Sequence, residues 1–248
     1  MNCDPEASAW RGLVRGMPGD GRVRRFREQL GLPVDRPIIM AGHQAQLWHP
    51  GILVKHLAGE ALAERLGGVS VWLVVDQDAN EPFQFAAPAR KGDEPMRRVE
   101  LDLLPPAQRG GPKRPTGLRP AIRPEHPGRT GVFDDRLDAL VEAVAERAGE
   151  SSAAAQVTQA LFDWLDGIIA RPKLVFASRI AETDLFQSLL ESAKQDTEAW
   201  SAGFNLAVDA VPGSGAGRLR AGEDPELPMW RLDGRGRRVR ARVSDLGS

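Results

Sequence analysis

Two short apolar runs govern what this chain can fold into. The first is Pro37-Ile38-Ile39-Met40-Ala41, opened by Arg36 and closed by Gly42. The second is Val69-Ser70-Val71-Trp72-Leu73-Val74-Val75, which runs into Asp76-Gln77-Asp78. Neither alternates strictly between apolar and polar residues, so each reads as a strand buried on both faces, the habit of parallel sheets. Between them Ile52, Leu53, His56, Leu57, Ala61, Leu62 and Leu66 fall at helical spacing. Pro50 suits a first helical turn, and Gly67-Gly68 a stop. Strand, loop, helix and strand within about 45 residues make a βαβ unit. The expected fold class is therefore α/β: a Rossmann-like parallel sheet with helices on both faces.

The rest of the chain is read around that unit. Residues 1–35 form a helical lead-in, with Val23, Phe26, Leu30 and Leu32 as its apolar positions and Gly31 as a stop. A further strand is expected at Arg97–Leu101. Residues 104–131 are crowded with Pro and Gly and cannot form a regular element. They read as a long surface loop or linker, with a mobile lid as the functional alternative. One helix follows with Phe133, Leu137, Leu140, Val141 and Val144 on its buried stripe. A second is capped by Ser151 or Ser152 and buries Val157, Leu161, Trp164, Leu165 and Ile168. Leu174–Ala177 reads as a third parallel strand, and a single helix as running from Thr183 or Asp184 through residue 208. An α/β domain thus spans 36–211. From Pro212 the core-forming residues thin out, and 212–248 reads as a hairpin and tail turning at Asp233-Gly234. A lone hairpin there suggests a chain shortened at its C-terminus.

Composition narrows the function classes. The 248 residues are 42% hydrophobic and 27% charged, a globular mixture. A net charge of -1 supplies no global positive field, so nucleic acid is not an expected partner. The single cysteine, Cys3, excludes disulfides, cysteine-based zinc centres and iron–sulfur clusters within the chain, and its place near the terminus disfavours a catalytic thiol. No apolar run reaches the ~18 residues of a membrane span, and the first residues lack the apolar core of a signal peptide; no membrane partner and a cytoplasmic location are expected. The glycines match neither dinucleotide nor P-loop patterns, and no serine sits in a nucleophile elbow.

Ligands of open parallel sheets sit beyond the carboxyl ends of the strands. Both legible ends are polar. After the first strand come Gly42, His43, Gln44, Gln46, His49 and Gly51, suited to holding an anionic group at a helix N-terminus. After the second come Asp76 and Asp78, suited to orienting an amine or hydroxyl or holding Mg²⁺. His49, Asp76 and Asp78 are the catalytic candidates, and Arg179 is placed to close over an anion. The expected partner is a small molecule; a nucleotide with Mg²⁺ and a homodimer stay open. His43, His49 and the two aspartates match no metal-ligand spacing, so no metal site is assigned. His56 reads as a packed mid-helix residue and His126 as a solvated one. Trp230 beside Arg231 reads either as a hairpin residue packing on its neighbours or as a platform for a base or sugar. His49-Pro50-Gly51-Ile52 carries half of the H-x-G-H signature of nucleotidylyl transferases, in the same place after a first strand.

Gly42-His43-Gln44-Ala45-Gln46-Leu47, then a helix, then Trp72-Leu73-Val74-Val75-Asp76-Gln77-Asp78 resembles the bacillithiol biosynthesis cysteine-adding enzyme family. That family carries G-Q-Q-A-G-L after a short strand and an E-D-H-D cluster after an apolar strand containing Trp. The resemblance covers residues 36–85. His43 stands for the first Gln, Gln46 for the second Gly, and Asp78 falls where the family has His. The family's T-G-P is His49-Pro50-Gly51 here. The resemblance implies a Rossmann-like core related to nucleotidylyl transferases, a helical arm used in dimerisation, and a ligase joining cysteine to a small polar metabolite, glucosaminyl-malate. Two alternatives stand beside it: a binding or assembly module with a degenerate site, and a nucleotidylyl transferase.

Overall fold

The computed structural model describes residues 9–10, 12–13, 20–111, 113–213 and 215–247. Cys3 lies outside them. The chain divides into two compact units, Met1–Ile180 and Ala181–Ser248. The composition change at Pro212 falls inside the second.

The first unit opens with α1 (Gly21–Gln29), capped by Asp20, whose carboxylate accepts from the Val23 N–H at 2.8 Å. Then come β1 (Ile38–Gln44), α2 (Pro50–Leu66) and β2 (Val69–Val75). A hairpin, β3 (Gln84–Ala89) and β4 (Arg97–Asp102), precedes α3 (Asp134–Glu146) and α4 (Ala153–Trp164). β5 (Lys173–Phe176) and the short α5 (Ala177–Ile180) close the unit.

β1, β2 and β5 form a three-stranded parallel sheet in that order, flanked by helices. Ile38 lies opposite Val69 and Gln44 opposite Val75; Val71 lies opposite Lys173. Successive side chains serve opposite faces. Trp72 and Val74 join the main core with Ile52 of α2 and Val157 and Leu161 of α4. Val71 and Val175 join Leu32, with Leu30 and Ile38 beside them. Gly42 is demanded by the pairing itself, because a Cβ there would stand 2.5 Å from the Leu73 carbonyl oxygen.

α2 buries Ile52, His56, Gly59 and Ala63, a narrower stripe than the apolar positions suggest; Leu57 is exposed. His56 is 1% exposed, as a packed residue should be. Its ring sits among Trp48, Trp72 and Phe162 at centroid distances of 5.9, 5.8 and 5.6 Å, and Nε2 donates to the Ala170 carbonyl.

Among the described residues of 104–131 the regular structure is two short 3₁₀ turns, Pro106–Gln108 and Thr116–Leu118. The segment is not merely a surface loop, since Thr116, Ile122 and Thr130 are buried. Gln156 of α4, fully buried, accepts from the Ile122 N–H and donates to the carbonyls of Ile122 and Val144. That side chain supplies the backbone partners a sheet would otherwise give.

Two helix ends depart from the expected stripes. Phe133 is 69% exposed and Ile168 61% exposed. α3 begins after Phe133 and α4 ends before Ile168, so helical spacing does not apply to either. Ser152 is the cap of α4, accepting from the Ala155 N–H.

In the second unit the single helix expected from residue 184 to 208 is two: α6 (Asp184–Gln195) and α7 (Thr197–Ala210). Asp196, at φ -143°, leaves the helical region and caps α7 through the Ala199 N–H. A hairpin follows, β6 (Glu226–Leu232) and β7 (Arg238–Arg242). Its turn is organised by Asp233, which accepts from the N–H groups of Arg235 and Arg237. Asn205 and Ser201 of α7 bond to the backbone at Leu219 and Glu226, joining helix to hairpin. Trp230 is half exposed, with the guanidinium groups of Arg238 and Arg240 at 4.7 and 4.2 Å from its ring centroid.

Candidate functional site

The end of β1 and the loop after β2 meet, as strand order requires; Gly42, His43 and Gln44, expected after the first strand, are its last residues, paired with Leu73, Val74 and Val75. Gln44 Nε2 donates to Asp78 Oδ2 at 3.2 Å, and Asn80 Nδ2 to the Ala45 carbonyl at 2.8 Å. Arg119 reaches in from the Pro-rich segment and donates to the Asn80 carbonyl and the Glu81 carboxylate.

Asp76 is 4% exposed. Its Oδ1 accepts from the Ser178 N–H at 2.9 Å and its Oδ2 from the Ser178 hydroxyl at 2.6 Å. Its carbonyl accepts from the Gly117 N–H and the Thr116 hydroxyl. The carboxylate thus ties the end of β2 to the start of α5, and the backbone beside it ties down the Pro-rich segment. Arg179, also predicted for the site, is exposed on α5.

His43, half-buried at the end of β1, has its Nδ1 buried without a hydrogen-bond partner. Burial lowers its pKa below the ordinary 6.5, with the positive charge of Lys55 acting the same way; the Gln44 backbone opposes them. His49 is the N-cap of α2, and its Nδ1 accepts from the Gly51 N–H at 3.0 Å. Since Nδ1 is the acceptor, the ring hydrogen is on Nε2, which makes that atom a donor.

A cavity of about 660 Å³ opens beside this loop. Gln46 and His49 line it from the loop, Phe85 and the Arg98–Glu100 ion pair (2.8 Å) from the hairpin, and Leu137, Leu161 and Trp164 from α3 and α4. Of the residues the sequence singled out, only Gln46 and His49 reach it. Gly42, His43, Gln44, Gly51, Asp76, Asp78 and Arg179 do not line it. A second cleft, about 420 Å³, lies among Glu81, Asp102, Arg109, Arg114 and Arg119.

Sequence reasoning did not find Arg136, which lines the larger cavity, or the turn before α3. In that turn the Thr130 N–H and hydroxyl both donate to Asp134 Oδ1, and the Arg90 N–H donates to the Thr130 carbonyl. Gly131 has φ 70°, and a Cβ there would stand 2.2 Å from the Arg90 carbonyl oxygen. So fixed, the turn holds Phe133 at φ 58°, the one non-glycine residue with positive φ among those described. The Thr130 backbone N–H, foremost, holds the Asp134 carboxyl below the usual carboxylate range. A turn fixed by contacts distant in sequence leaves no periodic signal.

Among the described residues, no group of three or more His, Cys, Asp or Glu side chains is placed to hold a metal ion, and no helix is long and apolar enough to cross a membrane. Comparison with family models, with curated proteins and with solved structures gives no match to this chain.

Proposed function

We propose that the first unit is a small-molecule-binding domain of ligase or transferase type, on a Rossmann-like core of the nucleotidylyl-transferase kind, with its ligand in the cavity after β1. The observation that carries this is the double role of His49: its Nδ1 caps α2, and its Nε2–H is left as a donor on a residue that lines the cavity. The cavity lies where open parallel sheets place their ligands, and its volume is that of a small-molecule site. The resemblance of residues 42–47 and 72–78 to the cysteine-adding family supports the ligase chemistry.

A binding module without chemistry is the second reading, and Asp76 favours it, since both its carboxylate oxygens already accept from Ser178. The test is thermal shift with cysteine, malate, glucosaminyl-malate and ATP with Mg²⁺, followed by a turnover assay on any ligand that binds. His49→Asn keeps an oxygen able to cap α2 but loses the imidazole donor. Its Tm without ligand should match wild type, and its ligand-induced shift should shrink; His49→Ala should also lose about 1 kcal/mol of stability. Binding untouched in His49→Asn would overturn the reading. Binding without turnover would select the second.

A further inference from the structure

The cavity makes a demand that the polar loops do not. Its walls are mostly apolar, with Leu137, Leu140, Leu161, Leu165, Trp48 and Trp164 among the residues that line it. Two large apolar side chains at its rim, Phe133 and Ile168, are 69% and 61% exposed. Phe133 is held there in a left-handed backbone conformation that a phenylalanine rarely adopts, by a turn whose other residues over-determine it. A chain that maintains strain to keep an aromatic ring beside an apolar cavity gains from it only when something covers that ring.

Charge supplies the other half. Arg98 and Glu100 line the cavity and pair with each other. Arg136 lines it too, and its guanidinium has no acidic partner among the described residues, although its carbonyl accepts from the Trp164 indole N–H. The side chains around the cavity therefore present one cation in excess, plus the His49 Nε2–H donor. That pattern matches a single anionic head on an apolar body.

We propose that the cavity takes an amphipathic monocarboxylate, its aliphatic or aromatic body against Phe133 and Ile168 and its carboxylate on Arg136 and His49. This rests on the reading that the cavity is the ligand site, and it moves the ligand away from the small polar metabolite that the sequence resemblance implies.

The test uses the full chain and four probes: octanoate, indole-3-acetate, octan-1-ol and malate. Octanoate or indole-3-acetate should raise the Tm by several degrees where malate does not. Arg136→Gln, a change at an exposed side chain, should weaken octanoate about tenfold and leave octan-1-ol unchanged. Phe133→Gly should melt at or above the wild-type temperature, because glycine relieves the strained backbone, yet bind octanoate more weakly. A structural Phe133 gives the opposite sign: a lower Tm overturns the proposal. So does malate binding that is sensitive to His49→Asn with octanoate silent, which leaves the cavity as the ligand site and changes only the ligand. If none of the four probes, nor any ligand of the earlier screen, shifts the Tm, the cavity is not the ligand site and both readings fall.

Discussion

His43 shows how one buried ring can set a pH dependence. In the unfolded chain it titrates near its ordinary 6.5; folded, burial and the nearby charge of Lys55 hold it lower. Below 6.5 the unfolded state therefore binds the proton more readily, so this contribution is fully present above that pH and is lost as pH falls toward the folded value. His43→Gln, which installs the residue of the resembled family, removes the titration. Its Tm should fall less than that of wild type between about pH 7.5 and about pH 5.5, and equal falls would show that His43 does not titrate in this window. At this scale the sequence was legible where a residue's setting is local. His56 reads as packed from its mid-helix position, and His49 as a helix-start residue from the Pro50 that follows it. Arg136 and Phe133 were not legible, because their meaning comes from a cavity assembled across four elements.

At the scale of elements, β1, α2 and β2 were readable because apolar period, proline and glycine all agree within a short stretch. The break between α6 and α7 was hidden, because the apolar spacing carries on across Asp196 while its side chain caps the second helix. The clearest element-level dependence is the junction of β2 with α5. Asp76→Ala leaves the Ser178 N–H without its acceptor and should cost about 2 kcal/mol, read by urea denaturation. Ser178→Ala keeps the backbone bond, should cost less, and should leave ligand-induced shifts as in wild type. A loss of turnover in Ser178→Ala with stability unchanged would instead give this pair a part in chemistry. The Pro-rich segment belongs here too: its composition rules out regular structure, and composition gives no sign of the bonds to Gln156, Asp76, Glu81 and Arg90 that fasten it down.

Over the whole molecule, acid should act in two stages. The first is that of His43. The second comes from aspartates in both units held below their ordinary 3.8 chiefly by backbone N–H groups: Val23 for Asp20, Thr130 for Asp134, Ser244 for Asp224, Arg237 for Asp233 and Arg242 for Asp245. Each contributes stability that is present above 3.8 and lost as pH falls toward the lower folded value. Calorimetry across pH should show a shallow decline in Tm beginning near 6.5 and a steep one below about 4, and a single transition centred between them would contradict this assignment. The division at Ile180 was not legible, because α6 and α7 look like sheet-covering helices by composition, while it is the bonds from Ser201 and Asn205 that fasten α7 to Glu226 of the hairpin and to Leu219 before it.

The tryptophans have an optical consequence. The chain has six of them and no tyrosine, so its near-ultraviolet emission is indole emission alone. Trp48 and Trp164 line the cavity, and the Trp48 ring lies 4.4 Å, centroid to centroid, from that of Trp72 in the core, the two planes tilted by 47°. Any molecule that displaces water from the cavity changes the surroundings of two of these fluorophores, and the close, tilted pair gives near-ultraviolet circular dichroism a second view of the same event. The unlabelled protein carries its own reporter of occupancy.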